Sequence, residues 1–276
     1  MRIKFLPTAI LIVLVSIIAC NREPTVNLSV DFSSQPMWRY NAKVLVSGSM
    51  TTLDTSTNYS GMANLVLLGK SYKKAPAKLQ LTIPSVRIST DFMDDAEKEN
   101  LKKQLEQLQL DISMDEGTVD LSDTADLPTL ITGSWGLDKS LAKVLPVLPD
   151  IPVTRGSKWE RNKQTSIRTS HGDAVAHLFQ AFIVDSIYHK NQKTMASISW
   201  DLSYKIELEN PDTTGLLVQL PDGGEGSGHA VINTTDNSVD FARIEFAVKS
   251  KENRGIRIGW KEIVELSLAQ RKQETS

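Results

Sequence analysis

Side chains able to do chemistry are thinly spread through this sequence. Ser140-Leu-Ala-Lys143 has the spacing at which a lysine amine can activate a serine hydroxyl one helical turn away. The Ser-Asp-Asn and Lys-Thr-Gly elements that accompany it in acyl-transferring enzymes are absent, and the spacing recurs in any helix, so its reading here is structural. Ser170, His171 and Asp173 are neighbours in the chain, but a triad is assembled in space and no Gly-x-Ser-x-Gly elbow exists; they read as turn residues. His171 and His177 can share a strand face, with His189 and His229 elsewhere, yet no cysteine or His-Glu-x-x-His helix accompanies them, and no metal site is expected. Gly223-Gly-Glu-Gly-Ser-Gly228 superficially has the composition of a phosphate loop. It runs from strand to strand with no helix amino terminus to receive an anion, so a flexible hairpin is expected. The paired carboxylates Asp94 and Asp95 belong to a helix start. No nucleophile, base and orienting group converge, so neither catalysis nor a cofactor is expected. The five tryptophans, Trp38, Trp135, Trp159, Trp200 and Trp260, either line a greasy pocket or fill the core.

One residue does carry a chemical expectation: the sole cysteine, Cys20. Before it stand a basic head (Arg2, Lys4), an apolar run from Phe5 to Ile18 and the small residue Ala19, the pattern of a secretory signal. At about 14 residues the run is short of the ~20 that a membrane-spanning helix needs. Ile17-Ile18-Ala19-Cys20 resembles the lipobox of bacterial lipoproteins, although Ile17 and Ile18 are bulkier than that family favours. The resemblance implies cleavage between Ala19 and Cys20 and lipid attachment at Cys20. Two or three acyl chains anchor a protein stably where one does not. Asn21 after the cysteine resembles the sorting pattern for the outer membrane over the inner one. The expected location is therefore the bacterial cell envelope, lipid-anchored.

The composition narrows the partners. With 33 acidic residues against 31 basic ones, the chain lacks the basic excess that nucleic-acid binding requires. With Cys20 acylated no disulfide can form, so the fold must stand on its core.

The elements follow from periodicity. After a tether over 20–25, Trp38 to Gly48 alternates as a long strand, and Met62–Leu68, Ala77–Ile83 and Val86–Ser89 continue the pattern, with Gly69 to Pro76 as a turn. Leu101, Leu105 and Leu108 predict an amphipathic helix capped by Thr90 or Asp91. A hairpin over Leu110–Asp123 turns at Asp115-Glu116-Gly117. A short helix is expected over Asp138–Leu145, and the prolines of Leu145–Val153 mark an internal boundary. Strands resume over Lys158–Thr169, Ala174–Tyr188, Thr194–Leu208, Leu216–Leu220, His229–Thr234, Val239–Lys249 and Gly255–Leu268. The imperfect phase of Phe241, Ile244 and Phe246 predicts a bulge.

The halves echo one another. Thr118-Val-Asp-Leu121 matches Ser238-Val-Asp-Phe241, Tyr72-Lys-Lys74 matches Tyr188-His-Lys190, and Trp38 matches Trp159, all at an offset of about 120 residues. Two related β units are expected, 26–148 and 149–276, after a signal over 1–19. Leu148-Pro-Asp-Ile-Pro-Val-Thr-Arg-Gly-Ser-Lys-Trp159 resembles the Pro-Val-x-x-Gly-x-x-Trp segment of a family of bacterial lipoproteins of unknown function, with Ser157 where an acidic residue is common. Gly224 to Gly228, His229 to Asn233 and Ser238 to Val248 fit the ending of that family. More distantly the chain resembles the curved half-barrels of periplasmic lipoprotein carriers, which hold acyl chains in an apolar cavity. The expected fold is mainly β (α+β), two curved antiparallel sheets or half-barrels with one or two amphipathic helices. The expected protein is a non-catalytic envelope lipoprotein. It either binds a hydrophobic or amphiphilic ligand in the curve of a sheet, or is a structural or assembly protein with a packed interior and envelope proteins as partners.

Overall fold

Alternation with period two dominates the backbone as it dominates the sequence. The computed structural model describes residues 23–114, 118–121, 137–169, 172–208, 223–249 and 257–269. Ala19, Cys20 and the signal, the Asp115–Gly117 turn, Trp135, Ser170, His171 and the strand expected over Leu216–Leu220 lie outside the described residues. The first half supplies β1 (Met37–Thr51), β2 (Ser56–Tyr72), β3 (Ala75–Thr90), β4 (Gln109–Ser113) and β5 (Thr118–Leu121). The second supplies β6 (Lys158–Thr169), β7 (Gly172–Lys190), β8 (Lys193–Leu208), β9 (Gly223–Asn233), β10 (Ser238–Lys249) and β11 (Arg257–Leu268). Two helices, α1 (Asp95–Glu106) and α2 (Leu137–Val144), join a 3-10 turn at Phe32–Ser34.

All eleven strands form one open antiparallel sheet in the order β5-β4-β3-β2-β1-β11-β10-β9-β8-β7-β6. This corrects the expectation of two sheets. β11 pairs with β1 from Tyr40↔Leu268 to Thr51↔Arg257 and with β10 from Phe241↔Ser267 to Lys249↔Gly259, fusing the halves. Local alternation specifies each strand but not which distant strand completes its hydrogen bonds. Each half nonetheless runs as a meander, of β1 to β5 and of β6 to β11, and the two meanders cross the sheet in the same sense.

Several local details decide the strand ends. β2 and β3 run almost to the tip of their hairpin, so only Lys73 and Lys74 remain of the turn expected over Gly69–Pro76. Pro84 sits inside β3 where the register slips against Val66 and Leu68, and the slip accommodates a residue that donates no ladder hydrogen bond. The expected bulge in β10 lies between Val239 and Phe241. Gly156 adopts φ 79°, the left-handed turn that lets the proline segment enter β6.

The α1 cap is a second correction. β3 consumes Thr90, and the Asp91 carboxylate accepts the Ser60 N–H and O–H, 2.8 and 2.9 Å away, which hold it below the usual carboxylate range. Asp94 caps instead, accepting the Glu97 N–H at 2.8 Å while Glu97 accepts the Asp94 N–H at 2.9 Å. Asp94→Ala should therefore destabilise the fold by about 1 kcal/mol, read as a lower denaturant midpoint at unchanged slope, whereas Thr90→Ala should leave α1 intact.

Candidate functional site

The inward face of the sheet gathers the large apolar side chains of the described strands. One row crosses nine strands: Trp159, Phe182, Trp200, Gly228, Ile244, Val264, Val44, Ala63 and Ile88, each opposite the next. Trp159 and Phe182 stack with ring centres 5.2 Å apart, and Phe182 lies 5.7 Å from Trp200. Trp159 donates its indole N–H to the Val147 carbonyl at 2.7 Å, pinning the proline segment over the ladder. Trp200 in turn covers β9, where a Cβ on Gly228 would lie 2.0 Å from its indole.

That contact explains the glycine run and corrects its reading. Gly223 to Gly228 is strand, not a flexible hairpin. Gly224 and Gly226 face the ring of Phe246, and a Cβ on either would come within 3.0 Å of it. The glycines leave room for the aromatic rings of β8 and β10 to approach the β9 backbone, so the run is explained by close packing.

The same face is filled from above. Leu28, Val30 and Phe32 of the amino-terminal segment, Leu101 and Leu105 of α1, and Leu141, Val144 and Leu145 of α2 and its exit are buried in one core with the sheet. The hollow left between Phe32, Tyr40, Leu67, Leu141, Val239 and Leu266 measures about 10 Å³, room for one water at most. The larger concavities lie elsewhere. One of about 900 Å³ is lined mainly by residues that alternate with the buried set, among them His177, Phe179, Ser203, Lys205 and Glu225, and so lies on the outer face. Another of about 950 Å³, lined by Met37, Arg39, Lys193, Asp236, Asp240 and Leu268, lies at the sheet end where β1 begins.

Within the filled face one polar cluster stands out. Ser140 and Lys143, one turn apart on α2, both meet Glu262 of β11. The serine hydroxyl donates to Oε1, and the lysine ammonium lies 3.0 Å from Oε2. All three are buried, at 0%, 8% and 1% exposure, and the Lys143 Nζ sits 4.6 Å above the centre of the Phe246 ring. The Lys143 amine is engaged by the Glu262 carboxylate and the Phe246 ring rather than by the Ser140 hydroxyl. The serine itself donates to the carboxylate, and neither Ser140 nor Lys143 lines any of the concavities described above. The cluster is an electrostatic clip that seats α2 on the sheet. The structural reading of Ser140 and Lys143 is thus extended by Glu262, which the sequence marks only as a charge in the inward frame Trp260, Glu262, Val264, Leu266.

The remaining sites do not converge. His177 faces Glu207 on the outer side at 3.5 Å, His229 contacts Ser197 at 2.9 Å and His189 contacts Thr194 at 3.2 Å. Among the described residues no three histidine, cysteine, aspartate or glutamate side chains could hold a metal together. Among the tryptophans, Trp38, Trp200 and Trp260 are buried core and Trp159 is half-buried. Burial raises the Tyr40 and Tyr204 hydroxyl pKa values well above the ordinary tyrosine value and lowers that of Arg161.

No family model and no curated protein matches this chain. Among solved structures it is similar to lipovitellin, from work on lipid–protein interactions in that protein, at 9% identity and TM-score 0.48 over 86% of this chain and 25% of the other. It thus spans about a quarter of the lipovitellin chain. It is also similar to a DUF1329 family protein from Desulfovibrio piger, at 7% identity and TM-score 0.15 over 88% and 89% of the two chains. A third similar structure is described as an outer membrane lipoprotein-sorting protein domain from Vibrio parahaemolyticus, at 5% identity and TM-score 0.18 over 86% of each chain. The strand registers of this chain, rather than those likenesses, define its fold: a single curled antiparallel sheet closed on its inner face by its own helices.

Proposed function

We propose that this chain is a non-catalytic, lipid-anchored envelope protein whose curled sheet encloses a packed interior, so that it acts through its outer surfaces on partners in the envelope. The observation that carries the reading is the filled inner face: among the described residues the hollow between Phe32, Tyr40 and Leu141 measures about 10 Å³, where a ligand chamber needs several hundred. In this reading residues 1–19 are a signal removed between Ala19 and Cys20, Cys20 bears the acyl chains, 20–25 is the tether, and the outer membrane is the destination. The halves 26–148 and 149–276 are a duplication, supported by the same-sense meanders and by Trp38 and Trp159 opening β1 and β6.

One observation favours a second reading, a carrier of a hydrophobic or amphiphilic ligand. α2 is seated by a polar clip, and three buried donors of the sheet, the Tyr40 O–H and the Trp200 and Trp260 indole N–H groups, meet no acceptor among the described residues. They are groups that the polar end of an amphiphilic ligand would satisfy.

Native mass spectrometry separates the two. The chain from residue 20 carrying Cys20→Ser is expected to fly as a bare polypeptide. A stoichiometric lipid adduct that survives purification would replace the packed reading with the carrier. The mass of the amino-terminal peptide from the native protein tests the anchor independently, and an unmodified Cys20 there overturns it.

A further inference from the structure

The two Tyr-x-Lys turns that the halves share are not used by the core. Tyr72-Lys73-Lys74 closes the hairpin of β2 and β3, and Tyr188-His189-Lys190 leads into the turn of β7 and β8. In an antiparallel sheet those two turns fall at the same end, together with the β9–β10 turn and the start of β1. The amino-terminal segment also runs along this end. Val26 bridges to Val153 just before β6, the Asp31 N–H reaches the Asn237 carbonyl in the β9–β10 turn at 2.8 Å, and the Gln35 carbonyl accepts the Ser71 hydroxyl at 3.0 Å beside the β2–β3 turn. The described chain therefore begins near this end, with Glu23, three positions after Cys20 in the sequence, shortly before the Val26–Val153 bridge.

The chemistry of the end fits one kind of partner. Tyr72 and Tyr188 are each 37% exposed and Met37 is 57% exposed. The turn segments Lys70–Ala75 and Tyr188–Lys193 contain Lys70, Lys73, Lys74, Lys190 and Lys193 and no acidic residue. Lys193 pairs with Asp236, whereas Lys73, Lys74 and Lys190 make no ion pair with any described residue. Amphipathic rings and a thioether beside lysines without an ion pair among the described residues are what a headgroup layer accepts: the rings and stems sit among the acyl boundaries while the charges meet phosphates.

We infer that this end of the sheet is a membrane-docking rim that lays the body on an anionic phospholipid surface, with Tyr72, Tyr188 and Met37 as interfacial contacts and Lys73, Lys74 and Lys190 as phosphate contacts. The inference rests on the tethered reading, since an anchor at Cys20 brings this end within reach of the bilayer, but it assigns the surface its own affinity.

The test uses the chain from residue 20 with Cys20→Ser and sedimentation with phosphatidylcholine vesicles containing about a quarter phosphatidylglycerol, against pure phosphatidylcholine. Binding is expected on the anionic vesicles, weakening with salt. K73E/K74E/K190E should reduce it at least about tenfold, and Tyr72→Ala with Tyr188→Ala should reduce it further. K98E/K102E/K103E on α1 makes the same change in net charge away from the rim and should leave binding within about twofold. Absence of binding to the anionic vesicles, or equal loss in the two charge-reversed variants, overturns the rim. Because the protein tested carries no acyl chain, such a failure is distinct from failure of the anchor, which is read from the mass of the native amino terminus.

Discussion

Glu262→Leu is expected to destabilise the protein by about 3–5 kcal/mol, because it leaves the Lys143 ammonium buried with its carboxylate gone. The clip is satisfied only as a unit. Glu262 takes the Ser140 hydroxyl on one oxygen and the lysine on the other, and the Lys143 Nζ also lies over the Phe246 ring. Lys143→Met alone should also be costly, since it strands a carboxylate at 1% exposure whose only remaining described donor is Ser140. The double variant Lys143→Met with Glu262→Leu should recover most of the loss, as buried ion pairs replaced by apolar groups of similar volume are near neutral. Urea midpoints of the four proteins complete the cycle. A loss under about 1 kcal/mol for Glu262→Leu would mean that the pair is solvated and that α2 is not seated by it. If α2 lifts before the sheet unfolds, the single variants should also bind a hydrophobic dye at neutral pH where the double variant does not.

Gly228→Ala should cost about 3 kcal/mol, at the upper end for one added carbon in a core. The new Cβ would be 2.0 Å from Cε2 and 2.1 Å from Cζ2 of Trp200. That ring cannot retreat, because Trp200 is 1% exposed and Phe182 lies against it, itself stacked on Trp159. The strain should travel along the aromatic row, so loss of near-ultraviolet circular dichroism and a shift of tryptophan emission are expected with the lower midpoint. Gly156→Ala is the contrasting case. Nothing lies within 4 Å of its Cβ, and only the left-handed φ of 79° opposes the change, at about 1 kcal/mol. Equal losses at the two glycines would remove the close-packing account of β9.

Much of the architecture was legible residue by residue. Trp38, Tyr40, Ala42, Val44 and Val46 alternate with solvent-facing neighbours because successive side chains of a strand point to opposite faces, and β1 buries that set. Leu101 and Leu105 recur one turn apart, and α1 buries them. Pro and Gly punctuate the entry to β6, and Gly156 is where the backbone turns left-handed. Local periodicity overreached at Thr90 and Asp91. Both propensities permit a cap, but strand pairing with β2 had already claimed them, and only the next acid was free.

The glycines of β9 were misread for a related reason. A glycine records that no Cβ is wanted and never why, and the reason, the Trp200 and Phe246 rings, comes from the two neighbouring strands rather than from β9 itself. The Ser140, Lys143 and Glu262 clip joins residues more than a hundred positions apart, so no spacing rule reaches it.

What the sequence determined by itself is therefore whatever one or two turns of chain can decide: strand and helix, inward and outward faces, and the expectation of an acylated Cys20. The tertiary structure alone decided that the two halves share one sheet through β11 and that α2 closes its inner face. It also decided that the paired Tyr-x-Lys turns lie at one end beside the amino-terminal segment. Those outcomes depend on which distant backbone groups satisfy each other's hydrogen bonds, and period-two patterning is indifferent to that choice.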